Sequence, residues 1–155
     1  GGCFWGVEHQ FKQVEGVLET TAGYTGGETE NPEYGQVCSG ITGHAEAVEV
    51  VFDNTKVTFE ELARLFFEIH DPTTPDRQGV DVGSQYRSAV FYTSGEQLET
   101  LEQLMDELRE NGYDPVTQLQ PLDEFWPAED YHQDYYSKSG GSSMCHVRTD
   151  RFGED

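Results

Sequence analysis

The sequence predicts an α+β fold: a two-layer α/β sandwich of the ferredoxin-like (α-β plait) type with one mixed sheet. After an amphipathic N-terminal helix, segments typical of strands and helices follow one another as strand, helix, strand, helix, strand. Two long loops and an irregular C-terminal tail make up most of the rest. The 155 residues fit one domain over 1–155, with 137–155 as a flexible tail.

The first half of the chain contains two predicted helices and one predicted strand. Apolar residues recur at helical spacing from Phe4 to Val14, which predicts a helix there. Residues 22–43 are rich in turn-forming residues and are predicted to form a loop. The segment 46–52, EAVEVVF, is typical of a strand. A helix over 58–70 follows, because it begins with a Thr-x-x-Glu capping box and is followed by Asp-Pro.

The second half repeats this alternation. A second long loop, 71–86, leads to a predicted strand over 87–93, RSAVFYT. The next helix spans 94–111, because a Ser-x-x-Gln cap opens it and a glycine follows it. A third strand is predicted over 116–120, VTQLQ, and the chain is irregular beyond it. We expect a strand to precede Gly1 in a longer natural chain, since the sequence begins abruptly at a glycine pair.

The charge balance excludes some partners. Thirty acidic residues stand against nine basic ones, a formal net charge of −21, and only three of the nine are lysines. Such a surface repels phosphate backbones, so nucleic acid is not an expected partner. The sequence has no apolar run long enough to span a membrane and no visible signal peptide. We therefore expect a cytoplasmic monomer with no membrane partner, from a salt-adapted organism.

Cys3, Cys38 and Cys145 are an odd, widely spaced set without a CxxC pair. This pattern favours reactive thiols in a reducing compartment over a disulfide framework or a zinc knuckle. Cys3 lies at the predicted start of the first helix, where unpaired N–H groups and the helix dipole lower a thiol pKa. Considered alone, it is equally compatible with a small buried cysteine that has no chemical role.

Phe4, Trp5 and Glu46 could complete a site around that thiol. Adjacent helical residues point about 100° apart, so one of the two aromatic rings is expected beside the sulfur, where it could bind a small apolar group. Glu46 lies between two alanines, a setting that disfavours its charged form and suits a general acid. The alternatives are two packing aromatics and a solvent-facing carboxylate.

Polar residues of the two long loops are further candidates. The hydroxyl groups of Tyr34 and Tyr86 can polarise an oxygen without carrying charge, and Asp81 lies in the second loop. His44-Ala45-Glu46 matches the H-x-E of zinc deaminases, but the required P-C-x-x-C is nowhere in the chain. The five histidines show no metal-ligand spacing, so no metal is expected.

Taken together, these residues resemble the A-type peptide methionine sulfoxide reductases. The matching segments run in family order along almost the whole chain. They are GCFWG (2–6), GYTGG (23–27), NPEYGQVCSGITGHAEAV (31–48), HDPTTPDRQGVDVGSQYRSA (70–89) and AEDYHQDYY (128–136). GCFWG, GHAE and QYRS in one chain are a specific combination.

The resemblance implies reduction of methionine-S-sulfoxide, in proteins or free, as repair of oxidative damage. Cys3 is then the nucleophile that attacks the sulfoxide sulfur and becomes a sulfenic acid. Cys145 resolves it as an intramolecular disulfide, which thioredoxin or dithiothreitol reduces without any cofactor. Cys38 is then structural.

The remaining site residues receive roles from the same resemblance. Phe4 and Trp5 form the pocket for the substrate methyl group, and Glu46 protonates the sulfoxide oxygen. The groups that bind that oxygen, directly or through water, are Tyr34, Tyr86 and Asp81.

Three features depart from the family pattern. Val80 stands where the family often has asparagine, the tail reads KSGGSSMCHV without the usual proline, and the strand preceding GCFWG is missing.

Two other classes of function stay open: a cysteine hydrolase or transferase using Cys3 and a histidine, and a binding module that recognises oxidised methionine without turnover.

The charge of the chain predicts that its stability depends on salt. A net charge of −21 destabilises the compact state by self-repulsion, and dissolved ions screen that repulsion. The melting temperature should rise steeply between about 0.01 M and about 1 M potassium chloride, where the Debye length falls from ~30 Å to ~3 Å. Thermal unfolding monitored by circular dichroism measures this, and a flat profile would contradict the prediction.

Overall fold

The computed structural model describes residues 1–2, 4–27, 30, 32–38, 43–78, 81–133, 149 and 151–152; the side chains of Cys38, Arg77, Asp81 and Tyr131 are not described. The helices are α1 (Phe4–Lys12), α2 (Tyr34–Cys38), α3 (Phe59–Ile69) and α4 (Gly95–Glu110). The strands are β1 (Val17–Thr25), β2 (Ala45–Phe52), β3 (Arg77–Gln78), β4 (Asp81–Val82), β5 (Ala89–Tyr92), β6 (Gln118–Pro121) and β7 (Phe125–Pro127). Short 3₁₀ turns lie at Ser84–Tyr86 and Asp130–His132. None of these helices is apolar over a length that could cross a bilayer.

The two long helices begin where their capping residues predict. The hydroxyl oxygen of Thr58 accepts the backbone N–H of Glu61, and that of Ser94 accepts the N–H of Gln97. Each bond satisfies a donor that the first turn of a helix leaves unpaired. Both predicted N-termini are confirmed, whereas α1 ends at Lys12, two residues before the predicted Val14.

The predicted loop over 22–43 is wrong at its start, because β1 continues to Thr25. Turn-forming residues predict a loop there, but Gly23 lies inside β1, opposite Pro127 of β7. A Cβ on Gly23 would lie 2.5 Å from the carbonyl oxygen of Trp126, so only glycine lets β7 pair closely with β1. The second long loop likewise contains β3, β4 and the Ser84–Tyr86 turn.

The described strands form three separate ladders, so the single mixed sheet expected from the sequence is wrong for this part of the chain. β1 lies between β2 and β7 in an antiparallel ladder, β5 pairs with β6 in parallel, and β3 pairs with β4. No hydrogen-bonded ladder joins β2 to β5 among these residues. A cavity of about 510 Å³ is lined by both strands and by apolar side chains of α1 and α3.

The helices unite the ladders through apolar packing. Side chains of α1 and α3 pack against β1 and β2, and a second cluster joins α3 to α4 and β5. A third cluster packs Phe4, at the start of α1, against Ala22, Tyr24 and Val37. The N-terminus of α1 is therefore held against the middle of β1.

Three residues near the C-terminus are attached to α3 and α4. The N–H of Thr149 donates to the Glu68 carbonyl, Arg151 bonds to both Phe67 and Glu68, and Phe152 packs into the α3–α4 cluster. They lie within 137–155, the range for which a flexible tail stays a prediction. The other residues of that range lie outside the described part of the chain.

Candidate active site

A buried carboxyl group meets the first turn of α1. Glu46, near the start of β2, is 3% exposed, and its Oε1 accepts the backbone N–H of Phe4 at 3.1 Å. Phe4 is 1% exposed and opens α1, so this N–H is one that the helix itself leaves unpaired. Since Glu46 pairs in register with Tyr24, the antiparallel ladder fixes the carboxyl group opposite a buried aromatic residue.

Aromatic rings from four separate segments surround this point. The Phe4 ring stacks on Tyr34 with 6.3 Å between centroids and lies 5.7 Å from Tyr24. The His132 ring lies 4.3 Å from Tyr34 and 5.1 Å from Phe4. Trp5, half-buried, donates its indole Nε1–H to His132 Nδ1 at 3.0 Å. The indole–imidazole pair is therefore one polar contact within a cluster of aromatic rings.

Glu129 connects the cluster to the sheet. Its Oε1 accepts the hydroxyl of Tyr24 at 2.8 Å, and its Oε2 accepts the backbone N–H of Tyr34 at 3.1 Å. Burial raises the pKa of Glu129, but the backbone and Tyr24 hydrogen bonds and the nearby His132 outweigh burial and hold the pKa below its usual range. Glu129 is therefore ionised at neutral pH.

His132 is 1% exposed and lies at the centre of the rings. Burial lowers the pKa of its imidazole, while the negative charge of Glu129 opposes that shift without cancelling it. The neutral imidazole is the form that can accept a hydrogen bond at Nδ1. The geometry and the pKa thus agree on an uncharged ring.

A buried arginine holds the loops around the site. Arg87 donates to the carbonyls of Ser84 and Gly43 and to the side chain of Gln118. Burial lowers its pKa, and Asp76 opposes the shift. Because Ser84 precedes Tyr86 and Gly43 precedes β2, one guanidinium fixes the Tyr86 turn relative to the strand that carries Glu46.

The structure brings together four of the residues expected at the site: Phe4, Trp5, Tyr34 and Glu46. Tyr86, half-buried, is attached through its backbone, because its carbonyl accepts the N–H of Gly2 at 3.2 Å. No three His, Cys, Asp or Glu side chains are grouped as ligands of one metal ion within the described ranges.

The other expected residues lie partly or wholly outside the described part of the chain. Cys3 and Cys145 are not described. Asp81 is described only in its backbone, which pairs with Gln78 between β4 and β3. Cys38 is described only in its backbone, at the end of α2.

Sequence reasoning missed three members of the cluster: Tyr24, Glu129 and His132. Tyr24 was assigned to a loop. Glu129 and His132 lie within the segment AEDYHQDYY, which carries part of the family resemblance, but no role followed from it. The signal available was a glutamate and a histidine three residues apart in an aromatic-rich segment, a spacing that places them on one side of a helical turn.

Comparison with protein families and with individual sequences gives a consistent result. A family model described as peptide methionine sulfoxide reductase matches residues 1–154. A peptide methionine sulfoxide reductase MsrA from Nautilia profundicola is 48% identical over 145 residues, covering 94% of this chain and 84% of that protein. One from Sulfolobus acidocaldarius is 49% identical over 151 residues, covering 97% and 86%.

Solved structures show the same similarity. Mxr1 from Saccharomyces cerevisiae in reduced form matches with a TM-score of 0.89 and 35% identity, covering 96% of this chain and 88% of that one. Methionine sulfoxide reductase A of Corynebacterium diphtheriae matches with a TM-score of 0.81 and 37% identity, covering 95% and 80%. Mxr1 in complex with Trx2 matches with a TM-score of 0.65 and 26% identity, covering 96% and 85%.

Proposed function

Since the chain belongs to the peptide methionine sulfoxide reductase family, we infer that its aromatic and acidic site reduces methionine sulfoxide in peptides and proteins to methionine. The chain is an oxidoreductase of the A type and is recycled by thioredoxin, as in the relative that was solved with Trx2. The reaction needs no metal or organic cofactor, because two thiols carry the electrons.

One observation carries this function: the hydrogen bond between Phe4 N–H and Glu46 Oε1. Phe4 directly follows Cys3 in the sequence, so this bond supports a carboxyl group close to the proposed nucleophile. A thiol nucleophile and a carboxylic acid are the two groups that sulfoxide reduction requires.

In the first step, the Cys3 thiolate attacks the sulfoxide sulfur while Glu46 transfers a proton to the sulfoxide oxygen. Because Oε1 of Glu46 already accepts the Phe4 N–H, we assign the transferred proton to the buried Oε2. Collapse of the adduct releases methionine and leaves the oxygen on Cys3 as a sulfenic acid. The substrate sulfur is reduced by two electrons, and the cysteine sulfur is oxidised by two.

The rings around Glu46 supply the substrate contacts. Phe4 and Trp5 receive the methyl group, and the hydroxyls of Tyr34 and Tyr86, together with Asp81, bind the sulfoxide oxygen. Support comes from the stacking of Tyr34 on Phe4 and from the bond that joins the Tyr86 turn to Gly2. Fixing the methyl group and the oxygen leaves only one sulfoxide epimer aligned for attack by Cys3.

In the second step, the Cys145 thiol condenses with the sulfenic acid, which gives a disulfide and water. Chain length permits this, because Gly1 and Thr149, each a few positions from one of the cysteines, both contact α3 near its end. Gly1 packs against the Phe66 ring, and Thr149 bonds to Glu68. Cys3 lies two positions after Gly1, and Cys145 lies four positions before Thr149, spans of at most about 7 Å and about 14 Å. Thioredoxin then reduces the disulfide.

Architecture and setting complete the proposal. The helices pack on both main ladders, which supports a single domain over 1–155 with a ferredoxin-like arrangement of strands and helices. One cooperative unfolding transition is expected of such a domain.

The excess of acidic residues supports a salt-adapted cytoplasmic monomer. Analytical ultracentrifugation measures the monomeric state.

The substrate assay separates this function from its alternatives. With dithiothreitol, the enzyme should convert the S epimer of N-acetylmethionine sulfoxide to the thioether and leave the R epimer unchanged, because the pocket fixes two substituents at sulfur. Chromatography on each epimer measures this. Ester hydrolysis without reductant would indicate a cysteine hydrolase, binding without turnover a recognition module, and equal rates on both epimers would contradict the pocket assignment.

The acid assignment predicts a large kinetic effect at one carboxyl group. Glu46→Gln should slow the release of methionine by roughly 10²–10⁴-fold, because the amide cannot donate the proton. Glu49→Gln is the matched control, since Glu49 lies exposed on the same strand and should keep the wild-type rate. Single-turnover kinetics measures both, and a near-wild-type rate in Glu46→Gln would refute the assignment.

The resolving assignment predicts a stalled enzyme. Cys145→Ser should release about one methionine per enzyme and then stop with thioredoxin as reductant, because the sulfenic acid has no thiol partner. Dithiothreitol should partly restore turnover, since it reduces the sulfenic acid directly. Cys38→Ser is the matched control and should turn over normally. Undiminished thioredoxin-driven turnover in Cys145→Ser, or a Cys3–Cys38 peptide pair in mass spectrometry, would overturn the assignment.

A further inference from the structure

His132 is the only described imidazole in contact with both rings of the proposed methyl pocket. Its Nδ1 accepts the indole N–H of Trp5 at 3.0 Å, and its ring lies 5.5 Å from the Trp5 ring and 5.1 Å from that of Phe4. Trp5 is half-buried, so part of its side chain is accessible to solvent. The hydrogen bond is therefore a directional restraint on an otherwise movable aromatic side chain.

This contact requires one protonation state. A nitrogen that accepts a hydrogen bond has its lone pair available, so the proton of the neutral ring is on Nε2. Protonation of Nδ1 would place two N–H donors against each other at 3.0 Å, and the indole would have to turn away. Trp5 can keep this orientation only while His132 is uncharged.

We propose that His132 is a positioning residue that, as a neutral imidazole, fixes the Trp5 ring so that the pocket fits the methyl group of the substrate. This inference rests on the proposed function, in which Trp5 binds that methyl group. His132 does not react; it acts through Trp5. The pocket consequently fits the methyl group best above the pH at which His132 becomes protonated.

The groups that face His132 define when that occurs. Among the described residues, Glu129 from the segment before its own turn and Tyr34 from α2 are the titratable neighbours, and α1 contributes only the uncharged Phe4 and Trp5. Burial favours the neutral ring and Glu129 favours the charged one, with burial dominant. The pKa lies below the usual histidine value of about 6.5, so the ring is neutral at pH 7 and becomes protonated only at more acidic pH.

Two substitutions separate the hydrogen bond from the packing. His132→Phe keeps a planar ring but removes the acceptor, and we expect kcat/KM for the S-sulfoxide to fall about 3- to 10-fold, mostly through KM, as for one neutral hydrogen bond. His132→Asn offers an amide oxygen near the place of Nδ1 and should recover most of the loss. Equal activity of wild type and His132→Phe, or an Asn variant no better than Phe, would overturn the proposal.

A double-mutant cycle tests whether the effect acts through Trp5. Trp5→Phe removes the indole N–H, so adding His132→Phe to it should cause no further fall in kcat/KM. The same fold-loss from His132→Phe in both backgrounds would show that His132 acts elsewhere. Circular dichroism melting of each variant confirms that it folds, and His132→Asn serves the test if the Phe variant does not.

A spectroscopic titration needs no turnover. The chain has two tryptophans, so Trp126→Phe leaves Trp5 as the single emitter. Its fluorescence should change as the pH falls below about 6.5, since an adjacent imidazolium withdraws the hydrogen-bond acceptor. The change should move to lower pH in Glu129→Gln, because a charge that favours the imidazolium is gone, and should vanish in His132→Asn. A flat or unshifted titration would overturn the proposal.

The two measurements distinguish the failure of this inference from failure of the proposed function. An inactive wild type whose Trp5 emission still titrates with His132 would refute the reductase function and retain the indole–imidazole switch. An active wild type with no titration and no effect of His132 would refute the positioning role alone.

Discussion

The site depends on one hydrogen bond, from the backbone N–H of Phe4 to the carboxyl group of Glu46. The first turn of a helix leaves its N–H groups unpaired, and a buried carboxyl group needs donors. The bond meets both requirements and joins α1 to β2. It also places the peptide nitrogen of Phe4 next to a buried carboxyl group. Its donor is a backbone amide, so no substitution at Phe4 other than proline can remove it.

Other polar groups, buried or partly buried, extend this arrangement. Glu129 joins β1 to α2, Arg87 joins the Tyr86 turn to the segment before β2, and His132 restrains Trp5. Burying such groups is costly unless each has partners, so these bonds specify the loop positions more strictly than apolar contact would. The aromatic cluster consequently has fixed ring orientations although it is built largely from loops and short helices.

The strand ladders are held together by the packing of helices on them and not by one continuous sheet. The ladders containing β2 and β5 do not pair with each other in the described residues, and the cavity they line is largely apolar. The packing of α1, α3 and α4 bridges them, and the residues from Thr149 to Phe152 that are described add contacts to α3. The site adjoins this cavity, because Phe4 and Glu46 also line it, and it lies against the continuous ladder of β1, β2 and β7.

The sequence by itself determined the features that local chemistry controls. The caps at Thr58 and Ser94 and the extent of α3 and α4 could be predicted, because caps and periodicity act over a few residues. The choice of Phe4, Trp5, Tyr34 and Glu46 as site residues came from specific motifs and stays a prediction, although the structure brings the four together. The prediction from local signals is wrong for the last part of β1. Gly23 indicates a turn there, but it lies in the strand and allows β7 to approach β1 closely.

Only the tertiary structure decided which distant residues meet. Tyr24 and Glu129 are 105 residues apart, and Trp5 and His132 are 127 apart, yet each pair forms a hydrogen bond. No local propensity encodes such pairs, because they depend on how the strand ladder and the loops pack around α1. The protonation state of His132 is likewise a tertiary property, set by its burial and by Glu129, and the sequence alone gives only an ordinary histidine.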